Sequence, residues 1–154
     1  LINQIYDANI EEITQHKEGV ILHVNNIYFS REAEKLEANV LSDICSRASR
    51  PVFIKLHPHT SIQHRTELEQ INGLMLIHSK VPIELIIKNL NNSILTSFWS
   101  AGLFVENNAC KFYWLHPIMS KHGALPDGFS VKNPTNHIME IENIQCIFNK
   151  IMNN

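Results

Sequence analysis

Apolar residues recur at helical spacing at Ile2, Ile5, Tyr6, Ile10 and Ile13, which predicts an amphipathic helix over residues 1 to about 16 that stops near Gly19. The pattern then changes period. Residues 20–24 form a short β-branched run, Asn25-Asn26 a turn, and Ser30 an N-cap with Glu32 and Glu34 in the first helical turn. Ala33, Leu36, Val40, Leu41, Ile44 and Ala48 make one apolar face of that helix. Pro51 opens a second strand over residues 52–56, which stops at His57-Pro58. A weaker helical pattern over 62–71 and Gly73 lead to a third strand, 74–77. Pro82 suits the first position of the next helix, where its missing N–H would be unpaired in any case. That helix carries Ile83, Leu85, Ile86, Ile87 and Leu90 and ends at Asn91-Asn92. Ile94 and Leu95 are a fourth strand running into a loop from Thr96, and residues 112–115 are a fifth. Residues 120–136 hold Gly123, Pro126, Gly128 and Pro134 and read as a long loop, before a last helix with Ile144, Ile147, Phe148 and Ile151 on one face.

Strand and helix alternate throughout, so the expected fold class is α/β: a Rossmann-like parallel sheet of about five or six strands with helices on both faces. In such sheets ligands bind outside the carboxyl ends of the strands, at the loops starting here from Asn25, His57, His78, Thr96 and His116. The length of 154 residues suits one domain with a real core. A formal net charge of -2 and the lack of any basic run argue against nucleic acid as a partner. The three cysteines are widely spaced in apolar stretches and fit a reducing compartment. No window is apolar enough to cross a bilayer and no signal-peptide pattern opens the chain, so a cytoplasmic protein is expected, at most peripheral at the inner membrane. Because the chain starts at Leu1 inside a helical pattern, it is expected to be a piece of a longer polypeptide.

Three segments carry chemistry. The first is Lys55-Leu56-His57-Pro58, where a buried strand delivers a cation and an imidazole at its carboxyl end. Lysine can bind phosphate, and histidine can also protonate a phosphate oxygen of a leaving nucleotide. The structural alternative is that His57-Pro58 simply ends a strand. The second is Thr96-Ser97-Phe98-Trp99-Ser100-Ala101-Gly102, hydroxyl residues before a short helix, either a phosphate cradle or an ordinary serine cap. The third is Val81-Pro82-Ile83-Glu84, whose carboxylate either complements the helix dipole or accepts hydrogen bonds from ribose hydroxyls. Nine histidines include the close set His57, His59 and His64, but no Cys/His/carboxylate group has zinc spacing, so neither a metal nor another cofactor is expected. His116-Pro117 repeats the His-Pro pair as a strand stop.

Taken in order, Lys55-Leu56-His57-Pro58, Pro82-Ile83-Glu84 and Ser97 to Ser100 with Ala101 resemble the bacterial sialyltransferase and polysialyltransferase families. The resemblance covers residues from about 19 to 105. It implies a GT-B glycosyltransferase of two domains, with this chain as the nucleotide-binding half that holds a cytidine monophosphate (CMP) sugar donor, usually sialic acid. It also implies a glycan acceptor and a role in capsule or lipooligosaccharide synthesis. By that resemblance His57 assists the departing cytidylate as the catalytic group, Glu84 holds the ribose, Ser97 or Ser100 the phosphate, and Lys55 and Pro58 complete the donor site. The families' acidic pair before glycine, which supplies the base from the N-terminal half, has no match: Asp127-Gly128 follows Pro126 and lies in another part of the chain. Teichoic-acid polymerases, which transfer a polyol phosphate from a cytidine diphosphate donor, also use a His-Pro segment and a serine-rich loop. From a different class, a non-catalytic module binding nucleotide or protein fits the same pattern.

Overall fold

The structure, a computed structural model, describes residues 11–28, 30–77, 80–130 and 132–149. The elements are β1 (Ile21–Val24), α1 (Arg31–Arg47), β2 (Val52–Lys55), α2 (Ile62–Glu69), β3 (Leu74–Ile77), α3 (Ile83–Asn89), β4 (Ile94–Ser97), a 3-10 turn (Ala101–Phe104), β5 (Lys111–Trp114), α4 (His116–Lys121), β6 (Ile138–Glu140) and α5 (Ile144–Ile147). The strands form one six-stranded, wholly parallel sheet in the order β3-β2-β1-β4-β5-β6. The chain thus builds outward from β1 to β3, returns to the other side of β1, and builds outward again. This is the doubly wound, Rossmann-like arrangement, and its direction reverses between β1 and β4.

Strand periodicity divides the core between the two faces. Leu22, Val24, Phe53, Leu95, Phe112 and Trp114 pack with Ile86 and Ile87 of α3, with Leu90 at its end, and with Ile13. On the opposite face Ile21, Val52, Ile94 and Tyr113 meet Val40 and Ile44 of α1, Ile118 of α4 and Ile147 of α5. Ile54 and Leu56 join Leu41 of α1 and Leu68 of α2 in a third cluster. Leu22 and Ile54 are fully buried, and truncating either to alanine is expected to cost about 2–5 kcal/mol. Helix starts follow the sequence pattern closely: Ser30 caps α1 by accepting from Ala33 N, and Ser61 caps α2 by accepting from His64 N.

Several boundaries differ from the sequence expectation. β4 does not end at Leu95 but continues through Thr96 and Ser97, because both hydroxyls find buried partners: Thr96 Oγ1 lies 2.9 Å from His23 Nδ1, and Ser97 Oγ donates to the Val24 carbonyl at 2.7 Å. Pro82 is the cap residue of α3 and Ile83 its first helical residue. His116-Pro117 opens α4, with proline in its first turn. The expected loop over 120–136 is followed by β6, a strand of 3 residues, too short to show a period of two. Of the expected N-terminal helix, residues 11–14 are helical. Its earlier part lies outside the described residues, as do His78 and Ile151. Among the described residues no helix is long and apolar enough to cross a membrane.

Candidate functional site

Lys55 ends β2 and the chain turns at His57-Pro58. The turn is tightly held: Thr60 N donates to the His57 carbonyl at 3.0 Å, and His57 N donates to Asn25 Oδ1 at 3.0 Å. His59 N donates to His57 Nδ1 at 3.1 Å. With Nδ1 accepting, the neutral His57 ring carries its proton on Nε2. Burial, and then the neighbouring His59 ring, push the His57 pKa below its ordinary 6.5. Burial also lowers the Lys55 ammonium from its usual value. Both shifts have the desolvation sign expected for bases at a cleft wall.

The second loop leaves β4. Ser97 is fully buried, and besides donating to Val24 its hydroxyl accepts from Ser100 N at 3.0 Å. Ser100 in turn caps the 3-10 turn by accepting from Gly102 N at 3.2 Å. Gly102 allows this turn to press against the start of α3, since a Cβ there would meet Ile83 Cγ2 at 2.7 Å. Ser100 and the start of α3 are thereby brought to one place.

An open cavity of about 740 Å³ lies at these carboxyl ends, reaching from Asn25 after β1 to Lys55 at the end of β2 with His57 and Pro58 beyond it, and to Ser100 after β4. It spans the point where the strand order reverses, the position at which open α/β sheets bind ligands. Leu56, Ile77, Val81 and Ile83 give it apolar walls, while Lys55, Arg65 and Lys80 make its charged lining wholly cationic. An apolar recess of this size with a few convergent polar groups suits a small organic anion.

Of the residues singled out from sequence, Lys55, His57, Pro58 and Ser100 share the cavity. Ser97 stands behind it, its hydroxyl committed to the Val24 carbonyl at the end of β1 and to Ser100 N in its own loop. Glu84 is exposed in the first turn of α3, next to Pro82 and Ile83, which do line the cavity. Sequence reasoning missed Arg65 and Lys80, two unremarkable surface cations until the fold sets them around the recess. It also missed Glu37, which falls four residues after Ala33 on the apolar face of α1 and is fully buried. A carboxylate at a core position is itself a signal, since buried charge requires partners. Burial alone would raise the Glu37 pKa, but hydrogen bonds from His23 and His64, and their electrostatic attraction, hold it at about 2. Among the described residues no group of three His, Cys, Asp or Glu side chains is placed to hold a metal ion.

A doubly wound parallel sheet with a cation-lined recess at its reversal point defines a Rossmann-like α/β domain. Residues 3–112 match the family model described as Alpha-2,8-polysialyltransferase (POLYST). The match runs across Lys55, His57, Pro58, Glu84, Ser97 and Ser100, and with it the chain belongs to the alpha-2,8-polysialyltransferase family, a family of sialyltransferase-like glycosyltransferases. Membership implies a nucleotide-sugar donor and a glycan acceptor. No curated protein matches the chain.

Proposed function

We propose that this chain is the donor-binding domain, one half of a GT-B architecture, of a bacterial sialyltransferase or polysialyltransferase acting in capsule or lipooligosaccharide synthesis, and that its donor is a CMP-sugar. The observation that carries the reading is the meeting of Lys55, His57, Pro58 and Ser100 in one cationic recess at the sheet's reversal point, within a span that matches the family. The cytidylate occupies the recess. Lys55 and Ser100 hold its phosphate, Pro58 fixes the turn, and Glu84 at the start of α3 accepts hydrogen bonds from the ribose hydroxyls. Ser97 serves the phosphate indirectly, by shaping the loop that presents Ser100. As the bond between the anomeric carbon and the phosphate oxygen breaks, the electron pair stays on the oxygen and His57 supplies a proton from Nε2. The acceptor hydroxyl attacks the anomeric carbon and its proton leaves to a base. No metal or other cofactor enters this scheme.

The test is a calorimetric titration of the chain with cytidine, adenosine and guanosine monophosphates. Tighter binding of CMP than of either purine nucleotide is expected. Equal binding of all three, or none, would remove the donor assignment.

A further inference from the structure

The buried carboxylate of Glu37 accepts four hydrogen bonds: from His23 Nε2 at 2.9 Å, His64 Nε2 at 2.5 Å, Asn25 Nδ2 at 2.8 Å and the Tyr28 hydroxyl. Stability alone is a poor explanation for such a cluster. Replacing a buried ionic network by well-packed apolar residues is often neutral or stabilising. What the network does uniquely is orient Asn25. The two ends of an asparagine amide have nearly the same shape and differ only in hydrogen-bonding sense. Because Nδ2 donates to the anionic Glu37, Oδ1 is the end turned toward the His57 loop, where it accepts from His57 N at 3.0 Å and from the Thr60 hydroxyl at 2.6 Å. A flipped amide would set oxygen against the carboxylate and N–H against N–H, so it is excluded at both ends.

The same carboxylate reaches the other side of the cavity. His23, its partner on β1, pairs through Nδ1 with Thr96 Oγ1 on β4 at 2.9 Å. Thr96 precedes Ser97, whose hydroxyl bonds the Val24 carbonyl and Ser100 N. The loop carrying His57 and the loop carrying Ser100 are thus keyed to one buried group 14 residues from His23 and 12 from Asn25 in the chain.

We infer that Asn25, oriented by Glu37, is a positioning residue for sugar transfer: it fixes the backbone at His57 and so the place of the imidazole in the donor cavity. This rests on the donor-binding reading above. Asn25 acts through His57 and Glu37 acts through Asn25.

Two measurements on the chain test it. The first needs no ligand: backbone amide hydrogen exchange in Asn25→Ala and Glu37→Gln. The His57 amide is expected to exchange about ten-fold faster in both variants beyond whatever acceleration the core amides of Leu22 and Ile54 share through lost global stability, as loss of one local hydrogen bond implies. The effect of Glu37→Gln at His57, which it does not touch, is the signature of relay through Asn25. A uniform acceleration, or no change at His57, overturns the inference. Should Glu37→Gln not fold, Asn25→Ala decides the question.

The second is CMP titration in a double-mutant cycle. Asn25→Ala is expected to weaken CMP binding about five- to ten-fold in the unmodified chain and to cost nothing further in a His57→Ala background. Equal losses in both backgrounds show that Asn25 does not act through His57. Failure of the unmodified chain to bind CMP overturns the donor reading and not the positional claim, which the exchange measurement decides by itself.

Discussion

Ser97 and Ser100 are separated by only two residues and carry opposite experimental signatures. Ser97→Ala leaves the Val24 carbonyl and Ser100 N without the hydroxyl that now serves both. It is expected to cost about 1–3 kcal/mol, the penalty of unpaired buried polar groups, read as a lower denaturation midpoint. Ser100→Ala removes a cap from a short turn and is expected to cost no more than about 1 kcal/mol, yet to weaken CMP binding about ten-fold if a charged hydrogen bond to phosphate is lost. The reverse assignment of the two effects would exchange their roles. His57 offers a second residue-scale check. Burial and His59 lower its pKa, so its NMR titration midpoint in the free chain is expected below 6.5, moving upward when the CMP dianion binds. A midpoint at or above the ordinary value would contradict the geometry. At this scale Lys55, His57 and Pro58 were legible because their chemistry is contiguous at the end of one strand. The division of labour between Ser97 and Ser100 was not, since it depends on Val24, a residue 73 positions away from Ser97 that only strand pairing brings near.

The elements were readable wherever a local device sets them. The Ser30 cap and the proline before the third helix mark boundaries within a residue of those observed, whereas the second helix ends at Glu69, two residues short of the expected 71. β4 was underestimated because Thr96 and Ser97 look like loop residues until His23 and Val24 supply their partners. β6 was not seen as a separate strand because its partner β5, and not its own sequence, makes it one. How two elements approach is equally non-local, and Gly102 shows it. Gly102→Ala drives a Cβ into Ile83 Cγ2, and a β-branched isoleucine at a helix start has little rotamer freedom to yield. The 3-10 turn is expected to lift from α3, with a stability loss of about 1–3 kcal/mol. CMP affinity is expected to fall with it, as Ser100 moves away from Lys55. Unchanged affinity alongside lowered stability would separate Ser100 from the phosphate.

For the molecule as a whole, the titration of Glu37 sets the acid limit. Its folded-state pKa of about 2 lies below the ordinary 4.5, so its contribution is fully present above about pH 4.5 and is lost as pH falls toward 2. Unfolding free energies from urea titrations are expected to drop across that window by an amount on the order of a few kcal/mol, and to drop less in Glu37→Gln; parallel profiles would detach acid sensitivity from this group. The fold class was legible from alternation alone, whereas the strand order was not, because nothing in a strand's sequence names its neighbour. That order also decides when the site comes into being during synthesis. β1, α1, β2, α2 and β3 emerge first and can pair among themselves, but β1 then waits with one edge open until β4 arrives to cover it. A nascent chain arrested before β4 exposes a parallel edge and half an apolar face, the kind of surface that invites association with other chains. Since Ser100 follows β4, the ribosome delivers the His57 loop well before its counterpart. The recess is completed only when that waiting edge is closed.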